Sequence, residues 1–285
     1  MPEFADAHGV VIVYDVHEPE GQPRGVVQVL HGVGEHAGRY AALAAALTAA
    51  GYVVYADDHR GHGRTGMRQH GEAAKLGRLG VGGHRAAVDA VWQLSQRIRA
   101  ERPGLPLVLL GHSWGSFLAQ ILFDAHPEAY DGVILVGSSL RWPGSLNAGD
   151  LNARWKAVGA TGVEWLSVDP AVQKAFLDDP LAVNTPLLKL FGPAEAARLY
   201  GRPRRDLRQR AGRDVPLLLL VGRDDSVGGP RGVHRLARAY RERAGMSDVT
   251  MLVYDGRHEI LNEPVQGQVR ADIRAWLDAR IPARS

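Results

Sequence analysis

The apolar run Leu107-Val108-Leu109-Leu110 leads directly into Gly111-His112-Ser113-Trp114-Gly115. It reads as a buried strand, a sharp G-x-S-x-G turn carrying a serine, and a helix starting at about Ser116. Such a turn holds its serine in a strained backbone conformation, and a side chain on either flanking residue would crowd the strand or the helix. The strain lifts the hydroxyl clear of the sheet edge, where a substrate and a base both reach it. A bare G-x-S-x-G arises by chance about 0.1 times in a chain of this glycine and serine content. The strand before it and the helix after it give the match its weight.

The rest of the chain supplies the setting. Short apolar runs alternate with helical patterns, the signature of a mostly parallel sheet covered by helices. Val10–Tyr14, Val26–Leu30, Tyr52–Ala56, Val133–Val136, Val215–Val221 and Val249–Tyr254 read as strands. Helices are expected over about Tyr40 to Ala50, stopped by Gly51, then Gly82 to Arg99, Val233 to Ala244 and Val265 to Asp278. The alternation breaks after Leu140, and from about Arg141 to Arg213 the pattern is helical, irregular and punctuated by prolines. The spacing therefore predicts a core from residues 1–140 and 214–285, interrupted by a helical insertion over 141–213.

Composition narrows the chemistry. The 285 residues, 45% of them hydrophobic, suffice for a substantial core, and no apolar run is long enough to span a bilayer. There is no cysteine, so disulfides, thiolate metal sites and a cysteine nucleophile are excluded. The first residues carry acids and no apolar stretch, so no targeting segment is read and the cytoplasm is the expected compartment. Net charge is a mild +3, with arginines gathered at 202, 204, 205, 208, 210 and 213. Beside Asp206 and Asp214 these read as a solvated face rather than an anion site, and without interleaved aromatics they give no support to nucleic-acid binding.

A serine hydroxyl needs a base, and the base needs an acid to orient it. After an elbow of this kind the partners follow in the order acid, then histidine, each on a loop at a strand's end. Asp224-Asp225 follows the strand ending at Val221, and His258 follows the strand ending at Tyr254. Either aspartate fits by position. Oxyanion donors are expected from the backbone N–H of Trp114 and from that of Val33, in the glycine-flanked loop after Leu30.

Four blocks then carry a resemblance: His31-Gly32-Val33-Gly34-Glu35-His36-Ala37-Gly38-Arg39-Tyr40, Asp58-His59-Arg60-Gly61-His62-Gly63-Arg64-Thr65, Gly111 to Ser116, and His258-Glu259-Ile260-Leu261-Asn262-Glu263. From about residue 25 to the C-terminus the chain resembles the monoacylglycerol lipase and lysophospholipase branch of the α/β-hydrolases. The resemblance implies an α/β-hydrolase fold with a helical cap, acting as a serine esterase on single-chain acyl esters such as monoacylglycerols or lysophospholipids. It implies Ser113 as nucleophile, His258 as base, Val33 and Trp114 as oxyanion donors and no cofactor. The family's glycine-two residues-aspartate pattern, counted from Gly222, points to Asp225. Two departures bear on acyl preference: Trp114 stands where methionine is usual, and Gly228-Gly229 replaces a more usual Val-Asp.

The aspartate and imidazoles of residues 58–62 suggest a metal site, but a loop packed and hydrogen-bonded under the active site accounts for them better. His31, His36 and His112 read as neutral supporting imidazoles. Trp142, Trp155, Trp165, Phe176, Phe191 and Tyr200 give the insertion either an acyl pocket under a lid or a small core of its own. A face this apolar also suits a membrane surface. Acyl transfer or cyclisation on the same machinery, and a receptor-like fold with little turnover, are the alternative functions.

Overall fold

The computed structural model describes residues 1–147 and 149–281. In chain order the strands are β1 (Glu3–Ala5), β2 (Val11–His17), β3 (Gly25–Leu30), β4 (Tyr52–Asp57), β5 (Leu107–His112), β6 (Gly132–Val136), β7 (Leu217–Gly222) and β8 (Val249–Tyr254). They form one sheet in the order β1-β2-β4-β3-β5-β6-β7-β8. β1 and β2 add antiparallel at one edge, and every pairing from β4 to β8 is parallel. The helices are α1 (Ala41–Ala49), α2 (Gly63–His70), α3 (Gly83–Glu101), α4 (Trp114–Ala125), α5 (Pro170–Asp178), α6 (Leu187–Ala197), α7 (Leu207–Ala211), α8 (Gly229–Arg238) and α9 (Gln266–Arg280).

β3 to β7 are buried at every residue, which is why they read as unbroken apolar runs rather than alternating ones. Alternate residues still serve different layers. Leu107, Leu109, Val133, Leu135, Leu217 and Leu219 pack with α3, α4 and α8, whereas Val108, Leu110, Ile134, Val136, Leu218 and Leu220 pack with α1 and α9. The chain thus leaves β3 for α1 on one face and leaves β5 for α4 on the other. Where consecutive loops diverge this way, a crevice opens beyond the strands' C-terminal ends.

Several elements differ from the sequence expectation. β1 has only three residues, too few to show a period. α2 holds two glycines and little apolar surface, so propensity reads it as loop. Its start is fixed from outside: Asp58 accepts from the Arg64 amide at 2.8 Å and from the Ala37 amide at 2.9 Å. The elbow helix begins at Trp114, immediately after the serine, and α8 begins at Gly229 and continues past Arg238 as a π turn over Ala239–Arg243.

Between β6 and β7 lie α5, α6 and α7. α6 bends at Gly192 (φ 78°), just before Pro193, where the missing N–H breaks the ladder. Val163, Leu166 and Phe176, with Trp165 and Ala182 against them, form a small cluster of the segment's own. Its arginines are mostly engaged in structure: Arg210 donates to the carbonyls of Asp124 (2.6 Å) and Ala125 (2.7 Å) at the C-terminus of α4, and Arg213 donates to that of Tyr130 (2.7 Å). Positive charge there complements the helix dipole.

Candidate active site

Ser113 has φ 52° and ψ −121°, and among the described residues it is the one non-glycine with positive φ. Such a conformation costs about 1–3 kcal/mol and persists only where its surroundings over-determine it. Here the Ser113 amide donates to the Val136 carbonyl on β6 (2.9 Å), while its own carbonyl accepts from the Ser116 amide (2.9 Å) and hydroxyl (2.6 Å). The flanking glycines permit the turn sterically. A Cβ on Gly115 would strike the carbonyls of Leu30 and His31, and one on Gly111 would strike the carbonyl of Gly115.

His258 lies at the same end of the sheet. A Cβ on Gly137, one residue beyond the Ser113 acceptor Val136, would sit 2.9 Å from its Cε1. Its ring is flanked by those of His112 (4.8 Å between centroids) and Trp165 (4.9 Å). Nδ1 is 3.0 Å from Asp225 Oδ1, and Asp225 Oδ1 also accepts from the Val227 amide at 2.7 Å. Both side chains are fully buried. The geometry thus brings Asp225, and not Asp224, to the imidazole. Asp224 is half exposed and pairs with Arg154 at 2.9 Å. His258 Nε2 is buried and has no hydrogen-bond partner among the described residues.

The amides of Val33 and Trp114 make no hydrogen bond among the described residues, whereas their neighbours are tightly held. His31 Nδ1 bonds the Gly32 carbonyl at 2.7 Å and its Nε2 accepts from the His59 amide at 2.9 Å, a pattern that fixes a neutral tautomer. Burial, with His59 and His62 beside it, holds the His31 imidazole well below its ordinary pKa. The Gly32 amide donates to Glu35 Oε1 at 2.6 Å, pinning the other side of the loop.

Glu35 belongs to a buried network that sequence reasoning missed. It accepts from Tyr40 Oη (2.7 Å) and Arg39 Nε (3.2 Å) and lies 3.0 Å from His112 Nδ1. Burial favours the neutral carboxyl, yet His112 and Arg39 hold Glu35 well below the usual carboxylate range. For His112, burial favours the neutral ring, but the Glu35 hydrogen bond and charge raise its pKa. The spacing of Glu35 and Arg39 is a readable i,i+4 signal. The far partners of Arg39 and His112 are not readable from spacing.

Asp58, His59 and His62 are occupied structurally. His59 Nδ1 is 2.7 Å from Asp57 and His62 Nδ1 is 2.8 Å from the Arg60 carbonyl. Among the described residues no group of His, Asp and Glu is arranged to hold a metal ion. The Trp114 indole is fully buried between His62, His59 and Phe191.

The segment between β6 and β7 contacts the loops on both sides of this site. The Val183 amide donates to the Gly34 carbonyl at 2.7 Å, and Asp179 lies 2.8 Å from His36 Nε2, so both anchor the Val33 loop. On the other side the Glu259 amide donates to the Leu166 carbonyl at 2.7 Å, and Glu263 accepts from Ser167 Oγ at 2.7 Å. Trp165 and Phe191 face the core, Phe176 fills the segment's own cluster, and Trp142 and Tyr200 are exposed.

Comparisons with known proteins agree with this architecture. Residues 21–265 match the family model described as serine aminopeptidase, S33. The chain is 35% identical to a monoacylglycerol lipase of Mycolicibacterium smegmatis, covering 96% of this chain and 95% of that one. It is 30% identical to the human monoglyceride lipase, over 98% and 91% of the two chains. A thermostable carboxyl esterase of Bacillus coagulans superposes with a TM-score of 0.84 at 26% identity, covering 98% of both chains. A strained serine at the end of the central strand, the sheet order and similarity along nearly the whole length converge: the chain belongs to the serine aminopeptidase S33 family of α/β-hydrolases, in its monoacylglycerol lipase-like branch, and is a carboxylic ester hydrolase.

Proposed function

We propose that this enzyme hydrolyses esters of a single acyl chain, of the monoacylglycerol or lysophospholipid kind, through an acyl-enzyme intermediate. The reading rests above all on one observation, the buried Asp225–His258 bond of 3.0 Å at the same end of the sheet as the serine in the strained turn. Ser113 Oγ attacks the ester carbonyl while His258 Nε2 takes its proton. Asp225 holds the tautomer that presents Nε2 and stabilises the imidazolium. The amides of Val33 and Trp114 donate to the oxyanion, an effect of about 10²–10³ in rate per donor in comparable sites. Collapse of the intermediate expels the alcohol, which takes the proton from His258. Water, deprotonated by the same imidazole, then attacks the acyl-serine and releases the acid. In free hydrolases the serine–histidine bond is often long and tightens with substrate bound.

Residues 141–213 are proposed as the cap over the acyl pocket. Ser113 is only 8% exposed and His258 is buried, so an acyl chain reaches them when this segment moves. Among the described residues, six of nine exposed large hydrophobics, Trp142, Val158, Val168, Leu177, Leu188 and Tyr200, lie on it. That surface suits contact with the lipid interface from which single-chain esters are drawn. No organic cofactor or metal is needed for any step.

The test is a series of monoacylglycerols, lysophosphatidylcholines and triacylglycerols of matched chain length, compared by kcat/KM. The single-chain esters should exceed triacylglycerols by at least about tenfold. Equal rates on triacylglycerols, or no turnover of any of them, would contradict the reading.

A further inference from the structure

We propose that a groove on the side of the molecule, between α3, the chain just after β6 and the connection from α6 to α7, binds a phosphate group. The groove has a volume of about 430 Å³ and is lined by Arg85, Arg141, Arg198, Arg202, Arg204 and Asp124, among others. Five arginines from three stretches of chain far apart in sequence thus line one groove. Their local compensation is poor. Arg198 pairs with Glu195 at 3.1 Å and Arg204 with Asp206 at 3.0 Å, both at exposed positions where such pairs contribute little. Among the described residues Arg85 and Arg202 have no carboxylate partner; Arg202 instead stacks 3.5 Å over the Trp142 ring.

Arg141 is the built-in element. Its side chain is only 4% exposed, donating to the Leu199 carbonyl at 2.7 Å and to Gln120 Oε1 at 3.2 Å. The backbone folds closely over it, since a Cβ on Gly201 would lie 2.9 Å from Nη1. Its carboxylate contact, Asp124, is 3.5 Å away, and burial pushes the Asp124 carboxyl up to about 6. A surplus of positive charge at a partly dry wall is what an oxyanion neutralises best. Guanidinium forks match phosphate oxygens in pairs, and a phosphate monoester offers three terminal oxygens and about −1.5 to −2 charges. The exposed rings of Trp142 and Tyr200 beside the arginines suit an organic body attached to that phosphate.

The groove does not open onto Ser113; the His84 ring, which lines it, stands 6.2 Å from the Trp114 ring. A ligand held there would be distinct from the ester under attack. The phosphate can be carried by a small soluble monoester or by a lipid head group, and the two are separable by experiment.

The full chain is titrated with inorganic phosphate and with glycerol 3-phosphate by calorimetry, and mixed with phosphatidylcholine vesicles with and without phosphatidic acid, whose head group is a phosphate monoester, in a flotation assay. All are repeated on Arg85→Gln/Arg202→Gln, whose circular dichroism melt is checked first. Saturable binding of either soluble phosphate, weakened at least tenfold in the double variant, supports a small-molecule site. Flotation only with phosphatidic acid, lost in the double variant, supports a head-group site. Should the double variant melt early, Arg198→Gln is used and the same loss is expected. No binding in either arm, binding untouched by the variants, or equal competition by chloride at matched ionic strength overturns the proposal. The readout is binding rather than turnover, so it fails or succeeds independently of the substrate assignment.

Discussion

Arg39 Nη2 donates to both carboxylate oxygens of Glu259, at 2.9 and 2.7 Å, across 220 positions of sequence. Because Arg39 Nε also reaches Glu35, one guanidinium ties the loop that carries Val33 to the loop that carries His258. Both partners are nearly inaccessible, with Arg39 9% and Glu259 2% exposed at the side chain. Removing one partner of a buried pair leaves an uncompensated charge and costs about 3–5 kcal/mol. Arg39→Met should lower unfolding free energy by that amount in urea, with kcat/KM falling as the loops lose register. A loss below about 1 kcal/mol, the range of a surface ion pair, would contradict this role.

The Glu35–His112 pair predicts a pH window. The raised pKa of His112 means its contribution is fully present below the unfolded value of about 6.5 and is lost as pH rises through the folded value. Glu35, held low, contributes above its unfolded value of about 4.3, and that contribution is lost as pH falls through its folded value. The stability difference between wild type and His112→Gln, measured by urea at a series of pH values, should therefore be larger at slightly acidic than at clearly alkaline pH. A flat difference would mean that the pair is not ionised.

The two adjacent aspartates should separate cleanly. Asp225→Asn leaves the geometry but favours the wrong imidazole tautomer, and kcat should fall by about four orders of magnitude. Asp224→Asn breaks only the half-exposed pair with Arg154 and should change kcat by less than about threefold. Steady-state kinetics of the two variants decide the matter, and a severe defect in Asp224→Asn would reverse the assignment.

Much of this arrangement is legible in the sequence, and the boundary is physical. β3 to β7 show themselves because both faces are covered and nearly every residue is apolar, the buried Gln28 being satisfied by the Val91 carbonyl and the Ser95 hydroxyl. Ser113 shows itself because it directly follows β5, and His258 and the pair Asp224-Asp225 because they lie on the loops after β8 and β7, while the family resemblance alone points to Asp225. α2 does not, since its start is imposed by Asp58 rather than by its own residues. Arg39–Glu259, Trp165 against His258 and Asp179 on His36 are contacts between distant stretches, and local periodicity carries no trace of them.

Trp114 separates backbone from side-chain roles. Its fully buried indole packs among His62, His59 and Phe191, so Trp114→Ala should cost about 3–5 kcal/mol in urea unfolding. The amide remains, so below the unfolding transition kcat/KM should stay within about tenfold of wild type. A loss of about 10²-fold or more in the folded variant would assign the indole itself a part in the chemistry.

The assignment of Ser113 is tested most directly by fluorophosphonate labelling followed by intact mass and peptide mapping. One adduct per chain is expected, on the peptide carrying Gly111 to Gly115, with both the adduct and ester hydrolysis abolished in Ser113→Ala. An adduct on another residue, or a folded Ser113→Ala chain that still turns over esters at the wild-type rate, would contradict the account.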